Sequence, residues 1–141
     1  MSKYDVKKEK LFDQDWLDRL YRRSNSEGTV TCAKTSLTTF GHFCQNEVGL
    51  NGKSMPEMIE KYQFWYDQDK PDIQSICMSL DKFVDFMGKG HHDIQVSNYR
   101  TFKAKTPKTI KMYVGFIKSY LRICHRIKLT TSNQDYSKCH L

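Results

Sequence analysis

Only three prolines and seven glycines punctuate the 141 residues. So few turn-formers over that length argue against many short strands and favour long helices. No window approaches eighteen continuous apolar residues, which excludes a membrane-spanning helix. The opening MSKYDVKKEKLF lacks the apolar run of a signal peptide. The five cysteines, Cys32, Cys44, Cys77, Cys124 and Cys139, are odd in number and form no C-x-x-C pair. That usage fits reduced, buried thiols in an intracellular protein, and a cytoplasmic, nucleoid-associated location is expected. There is no glycine-rich phosphate loop, no G-x-S-x-G and no H-E-x-x-H. His42, His91-His92, Cys124-His125 and Cys139-His140 lack the spacing of a structural zinc site, so neither metal nor cofactor is expected. Asp67, Asp69, Asp81 and Asp85 fall on helix surfaces, where solubility and capping account for them. These absences together point away from an enzyme.

Acid is missing from one region in particular. Between Ile94 and Gln134 there is no Asp or Glu, while Arg100, Lys103, Lys105, Lys108, Lys111, Lys118, Arg122, Arg126 and Lys128 all fall there. From Ser54 to Asp93 the balance reverses, with eight acids against four bases. The net charge is +7, and one end of the molecule carries most of the positive field. Such a field attracts phosphate-rich partners or anionic membranes.

What is present reads as a row of helices. Residues 1–11 are polar and basic and read as frayed. Asp13 or Asp15 caps a short helix with Trp16, Leu17, Leu20 and Tyr21, ending near Arg22 and Arg23. SNSEG is a linker. A second helix begins near Thr29, its apolar face formed by Val30, Ala33, Leu37, Phe40, Phe43, Cys44 and Val48, and Gly49 stops it. After the turn LNGK, Ser54, Pro56 and Glu57 open a third, aromatic-rich helix that breaks at Asp69–Pro71. Asp72 caps a fourth, closed by Gly88 and Gly90. Residues 89–105 admit an irregular loop, a short strand over Ile94–Val96 or a helical turn near Asn98. Thr106-Pro107 opens the last helix, expected to run from Pro107 to Lys128. Its buried stripe is Ile110, Tyr113, Val114, Ile117, Leu121 and Cys124. A second stripe holds Lys111, Gly115, Lys118 and Arg122, with Lys108 one turn earlier. Cations one turn apart meet successive phosphates; the competing reading is a solvated face that only keeps the protein in solution. Thr29, Thr31, Lys34 and Thr35 stand at a helix start, where hydroxyls bind phosphate or simply cap.

Three stretches of this chain resemble the core-binding domain of tyrosine recombinases, the phage and archaeal integrases. SEGTVTCAKTSLTTFGHFC, from Ser26 to Cys44, is similar to that domain's opening helix through Thr29, Leu37, Phe40, Phe43 and Cys44; Ala33 stands where an aromatic is common. The stretch Asp72–Met87, with Leu80, Phe83 and Val84, looks like the family's helix before a glycine turn. TPKTIKMYVGFIKSYLRI, Thr106–Ile123, is similar to its small-Pro-Lys-Thr-Ile helix. The resemblance covers about residues 26–129. It implies an all-α fold, a four- to five-helix orthogonal bundle of the SAM-like kind, forming one jaw of a clamp around DNA. Carried over, it implies that Thr29, Thr31, Lys34, Thr106, Lys108, Thr109, Lys111 and Lys118 face DNA. Lys105 and Arg122 join them from the charge pattern. The implied organisation is an N-terminal extension over 1–25, the domain over 26–129 and a polar tail over 130–141.

The family's chemistry needs an Arg–Lys–His–Arg–Tyr set in a second domain, which would follow the tail. His125-Arg126 do not supply it, so the expectation is a natural orphan or an excised N-terminal portion that cuts no DNA. The expected partner is double-stranded DNA, held mainly by its phosphates, in DNA integration or recombination. Base readout should be modest, because few Arg, Asn or Gln residues sit on this surface. The alternative is a protein-interaction module that self-associates or assembles with a full-length recombinase; no membrane is implied.

Overall fold

The computed structural model describes residues 14–48 and 54–129. Within them the chain is mostly helical. A short helix α1 covers residues 14–24, followed by α2 (Glu27–Val48), α3 (Ser54–Tyr66), α4 (Ile73–Met87) and α5 (Pro107–His125). Between α4 and α5 lies an antiparallel hairpin of β1 (His91–Ser97) and β2 (Arg100–Phe102). The expected helical domain is borne out, and the small hairpin is its departure from all-α. Of the three readings open for residues 89–105 it is nearest the strand, but it starts three residues before Ile94 and has a partner. The expected fraying of residues 1–11, the cap at Asp13, the stop at Gly49, the LNGK turn and the tail at 130–141 lie outside the described residues.

The boundaries follow local hydrogen bonding. Asp15, one of the two proposed caps of α1, is inside that helix and pairs with Arg19 at 3.0 Å, the i,i+4 spacing. The SNSEG linker shrinks to two residues, because Ser24 still belongs to α1 and Glu27 already belongs to α2. Asn25 makes the corner in the left-handed region, φ 52°, which asparagine tolerates better than most residues. The Ser26 hydroxyl then accepts from the Thr29 N–H at 3.2 Å, so α2 starts two residues before the expected Thr29. Asp72 caps α4 as expected, accepting from the Ser75 N–H at 3.1 Å, and Thr106 caps α5, accepting from the Thr109 N–H at 3.2 Å. Gly88 closes α4 in an ordinary right-handed conformation.

The last helix is three residues shorter than expected. Arg126 adopts φ 58° and the Ile127 N–H reaches back to the Leu121 carbonyl at 3.0 Å. The physical reason is burial. Ile127 and Leu129 are both almost wholly covered; a continued helix would put Leu129 on the exposed face with Lys111 and Arg122, and leaving the helix returns that side chain to the core.

One hydrophobic core unites these elements. Phe40 and Phe43 of α2 meet Phe83 of α4 at ring distances of 5.2 and 5.3 Å, and Tyr62 of α3 joins Phe40 at 6.3 Å. The buried Tyr62 hydroxyl is satisfied by Ser79 Oγ at 2.6 Å. Buried Ser36 and Thr39 donate to the Ala33 and Thr35 carbonyls of their own helix. At the other end, Trp16 of α1 is fully buried, packs edge-on to Tyr120 of α5 at 5.3 Å, and donates from its indole N–H to Ser119 Oγ at 3.0 Å. The core therefore runs across the expected boundary between 25 and 26: α1 is part of the packed unit and no mere extension.

Trp16→Ala should cost about 3–5 kcal/mol, the usual range for deleting a large buried aromatic. Urea unfolding measures it. A loss under about 1 kcal/mol would mean that α1 is detachable.

Candidate nucleic-acid interface

The hairpin brings the acid-free stretch against α2. Thr31, Thr35, Thr38 and His42 recur at four, three and four, so they form one stripe along α2. With Lys34 and Thr39 they make one wall of a cleft of about 430 Å³. The facing wall comes from the hairpin and the segment after it: Val96, Arg100, Thr101, Phe102, Lys103 and Lys105. Four fixed cations line this cleft and no carboxylate does. None of Lys34, Arg100, Lys103 and Lys105 has an ion-pair partner among the described residues.

The walls are held from below. Phe102 is buried and packs on Phe86 of α4 at 5.1 Å. His91 stacks on the same Phe86 ring at 4.2 Å, and its Nε2 bonds to the Phe86 carbonyl oxygen at 2.8 Å. The Lys105 N–H donates to the Met87 carbonyl at 2.7 Å, tying the strand exit to the end of α4. The Lys105 ammonium stands 4.9 Å above the Phe102 ring, a cation–π contact that orients it. His42 sits edge-on to Phe102 at 6.5 Å, and burial holds its imidazole below the ordinary histidine range.

The threonine hydroxyls are occupied in this state. Thr35 donates to the Thr31 carbonyl at 3.0 Å, Thr38 to the Lys34 carbonyl at 3.1 Å, and Thr39 to the Thr35 carbonyl at 2.9 Å. Both hydroxyls are exposed, so Thr35 and Thr38 can redirect them from the helix to another acceptor. The charge is carried by the lysines and Arg100.

The expected site residues divide into two groups. Thr31, Lys34 and Lys105 line the cleft. Thr29 is half-buried in the first turn of α2. Thr106 and Thr109 form a capping pair, with the Thr106 hydroxyl donating to Thr109 Oγ1 at 3.1 Å. Lys108, Lys111 and Arg122 are exposed on α5, outside the cleft. Lys118 corrects the expectation of an unbroken free ridge. It is half-buried against the Cys77 side of α4, and burial lowers its pKa. Its position on α5 explains this, because residue 118 falls between the exposed stripe and the buried Ile117–Leu121 face.

Sequence reasoning missed Arg100, Lys103, Thr38 and His42 as site residues grouped with Thr31, Lys34 and Thr35. The signal was there in two pieces, the acid-free window and the polar stripe of α2, but only the hairpin sets them face to face. Among the described residues no three His, Cys, Asp or Glu side chains gather as a metal-binding group, and no helix is long and apolar enough to cross a membrane.

Because Lys118 packs along its aliphatic stem, Lys118→Ala should destabilise the fold by about 1 kcal/mol, whereas Lys111→Ala should stay within about 0.5 kcal/mol. Paired thermal melts decide this, and equal melting temperatures for the two variants would contradict the assignment. Comparison of the chain with protein-family models, with curated proteins and with solved structures returns no match.

Proposed function

We propose that this chain binds double-stranded DNA through its backbone phosphates, as the non-catalytic, SAM-like core-binding part of an integrase-type tyrosine recombinase. The observation that carries the reading is the cleft between α2 and the hairpin, with four unpaired cations, exposed hydroxyls and no acid. A cavity for a small anion needs one or two cations; an open row of them fits a polyanion, whose binding releases a counterion per neutralised phosphate. Lys108 and Lys111, exposed just beyond Lys105 along the chain, extend the positive surface onto α5. The resemblance of Ser26–Cys44 and Thr106–Ile123 to integrase core-binding helices points to the same two elements, the start of α2 and the start of α5.

A second reading rests on a separate observation. Phe64 and Met78 are 65% and 54% exposed, and Trp65 of α3 and Met78 of α4 share a shallow groove with Met58. An apolar surface of that kind suits a protein partner, such as a full-length recombinase or a second copy. Sizing without DNA separates the readings: a stable dimer that shifts no duplex favours assembly.

Lys34→Glu with Lys103→Glu should nearly abolish the gel shift of a generic duplex while leaving the melting temperature unchanged. Lys34→Ala alone should flatten the log–log salt dependence by about one unit. Undiminished binding by the double variant would overturn the proposed surface.

His42 adds a pH dependence. Its pKa lies below the ordinary 6.5 because burial disfavours the cation, so near neutral pH it is uncharged. Phosphates in the cleft favour the imidazolium, so binding takes up a proton and should tighten as pH falls from about 7.5 to 5.5. His42→Gln should flatten that component. In the free protein the sign reverses. The unfolded chain protonates first, so His42 takes stability away as pH falls through the unfolded value, and contributes nothing above it.

A further inference from the structure

The hairpin has two ends of different character. Its base is locked to the body through buried Ile94 and Phe102, the His91–Phe86 stack and the Lys105–Met87 hydrogen bond. Its tip stands clear: every residue from Gln95 to Arg100 is exposed, and Tyr99 is 96% exposed. Ser97 pairs with Arg100, so Asn98 and Tyr99 form a two-residue turn. Neither Asn98 nor Tyr99 has positive φ, so the turn accepts most residue types and does not itself call for a tyrosine. Tyr99 packs on nothing, so the core does not call for an aromatic there either.

The groups around Tyr99 are those that recognise base edges. Gln95, Asn98 and Arg100 make no side-chain hydrogen bond among the described residues. Arg100 also lines the cationic cleft, which puts the tip at the rim of the phosphate surface. The hairpin's acid, Asp93, lies toward the base and does not line the cleft. A two-stranded ribbon fits the major groove, about 12 Å wide. There an arginine fork matches guanine O6 and N7, an asparagine or glutamine amide matches adenine N6 and N7, and apolar side chains meet the thymine methyl.

We infer that the hairpin tip is a base-reading ribbon: it enters the major groove of duplex DNA with Asn98, Tyr99 and Arg100 leading, while the cleft behind it holds the flanking phosphates. This rests on the DNA-binding reading and changes one part of it. The modest base readout expected from the helices alone is supplemented by an element that protrudes for the purpose.

Selection from a pool of randomised duplexes tests it, with the full chain as protein. The wild type should enrich a motif of a few base pairs. The combined variant Asn98→Ala, Tyr99→Ala, Arg100→Ala should still shift a generic duplex, with a salt slope smaller by about one unit for the lost arginine, and should enrich nothing. Its circular dichroism should match the wild type, since all three side chains are exposed. Arg100→Lys keeps the charge but not the fork. It should retain the salt slope and lose about tenfold or more in preference at one position of the motif. A combined variant that enriches the wild-type motif would overturn the inference. So would a wild type that shifts generic duplex but enriches none, in which case the cleft is a sequence-blind clamp and the DNA-binding reading survives. A wild type that shifts no duplex at low salt removes both.

Discussion

The packing of Phe86 and its neighbours is the constraint on which the proposed site depends. On one side this ring meets Phe43 of α2 at 5.7 Å; on the other it meets Phe102 of the hairpin at 5.1 Å and lies flat on His91. α2, α4 and the hairpin are thereby fixed around one side chain near the end of α4. The spacing between the α2 stripe and the segment carrying Arg100–Lys105 is a consequence of that contact. Two cationic segments brought this close repel each other, and surface salt screens only part of the repulsion. Buried aromatic area, at roughly 25 cal/mol per Å² removed from water, supplies the opposing attraction. The positive cleft is thus a site held together by apolar contacts beneath it.

That division of labour extends through the molecule. Trp16 and Tyr120 close the end formed by α1 and α5, Tyr62 and Ser79 join α3 to α4, and Phe40, Phe43 and Phe83 fill the middle. The acidic residues of α3 and α4 stay at the surface, away from the cleft lining. On the proposed reading, a cleft that no acid lines would give an approaching polyanion a preferred orientation. The cleft and the hairpin tip would, on that same reading, be complementary parts: the first would contribute affinity without sequence information, the second would present groups able to distinguish bases.

Much of the helical layout was legible because its signals are local. Thr106-Pro107 and Asp72 each carry their own capping chemistry, and Ile110, Tyr113, Val114 and Ile117 keep the helical period without interruption. The errors came where a local signal competed with a distant one. Nothing near Lys128 stops a helix; α5 ends at His125 and the chain turns so that Leu129 is drawn back to the core. Lys118 looks like a member of an exposed stripe at i+7 from Lys111, yet it sits close enough to the buried arc to meet α4. Similarly, Trp16 belonged to a segment set apart by a polar linker, and its burial against α5 depends on a residue 103 positions away, Ser119.

Residue order alone specified that the chain forms amphipathic helices with named caps, and that its positive charge is concentrated after Ile94. Those properties arise from neighbours within a few positions, through capping, periodicity and composition. What required the folded chain was the pairing of β1 with β2, the depth of Lys118 and the meeting of Lys34 with Arg100, Lys103 and Lys105 across one cleft. A hairpin with neither central residue at positive φ and with irregular register announces itself weakly in the sequence. Its position was decided by where Phe102 and His91 could be buried, and that depended on a pocket built by α2 and α4 together.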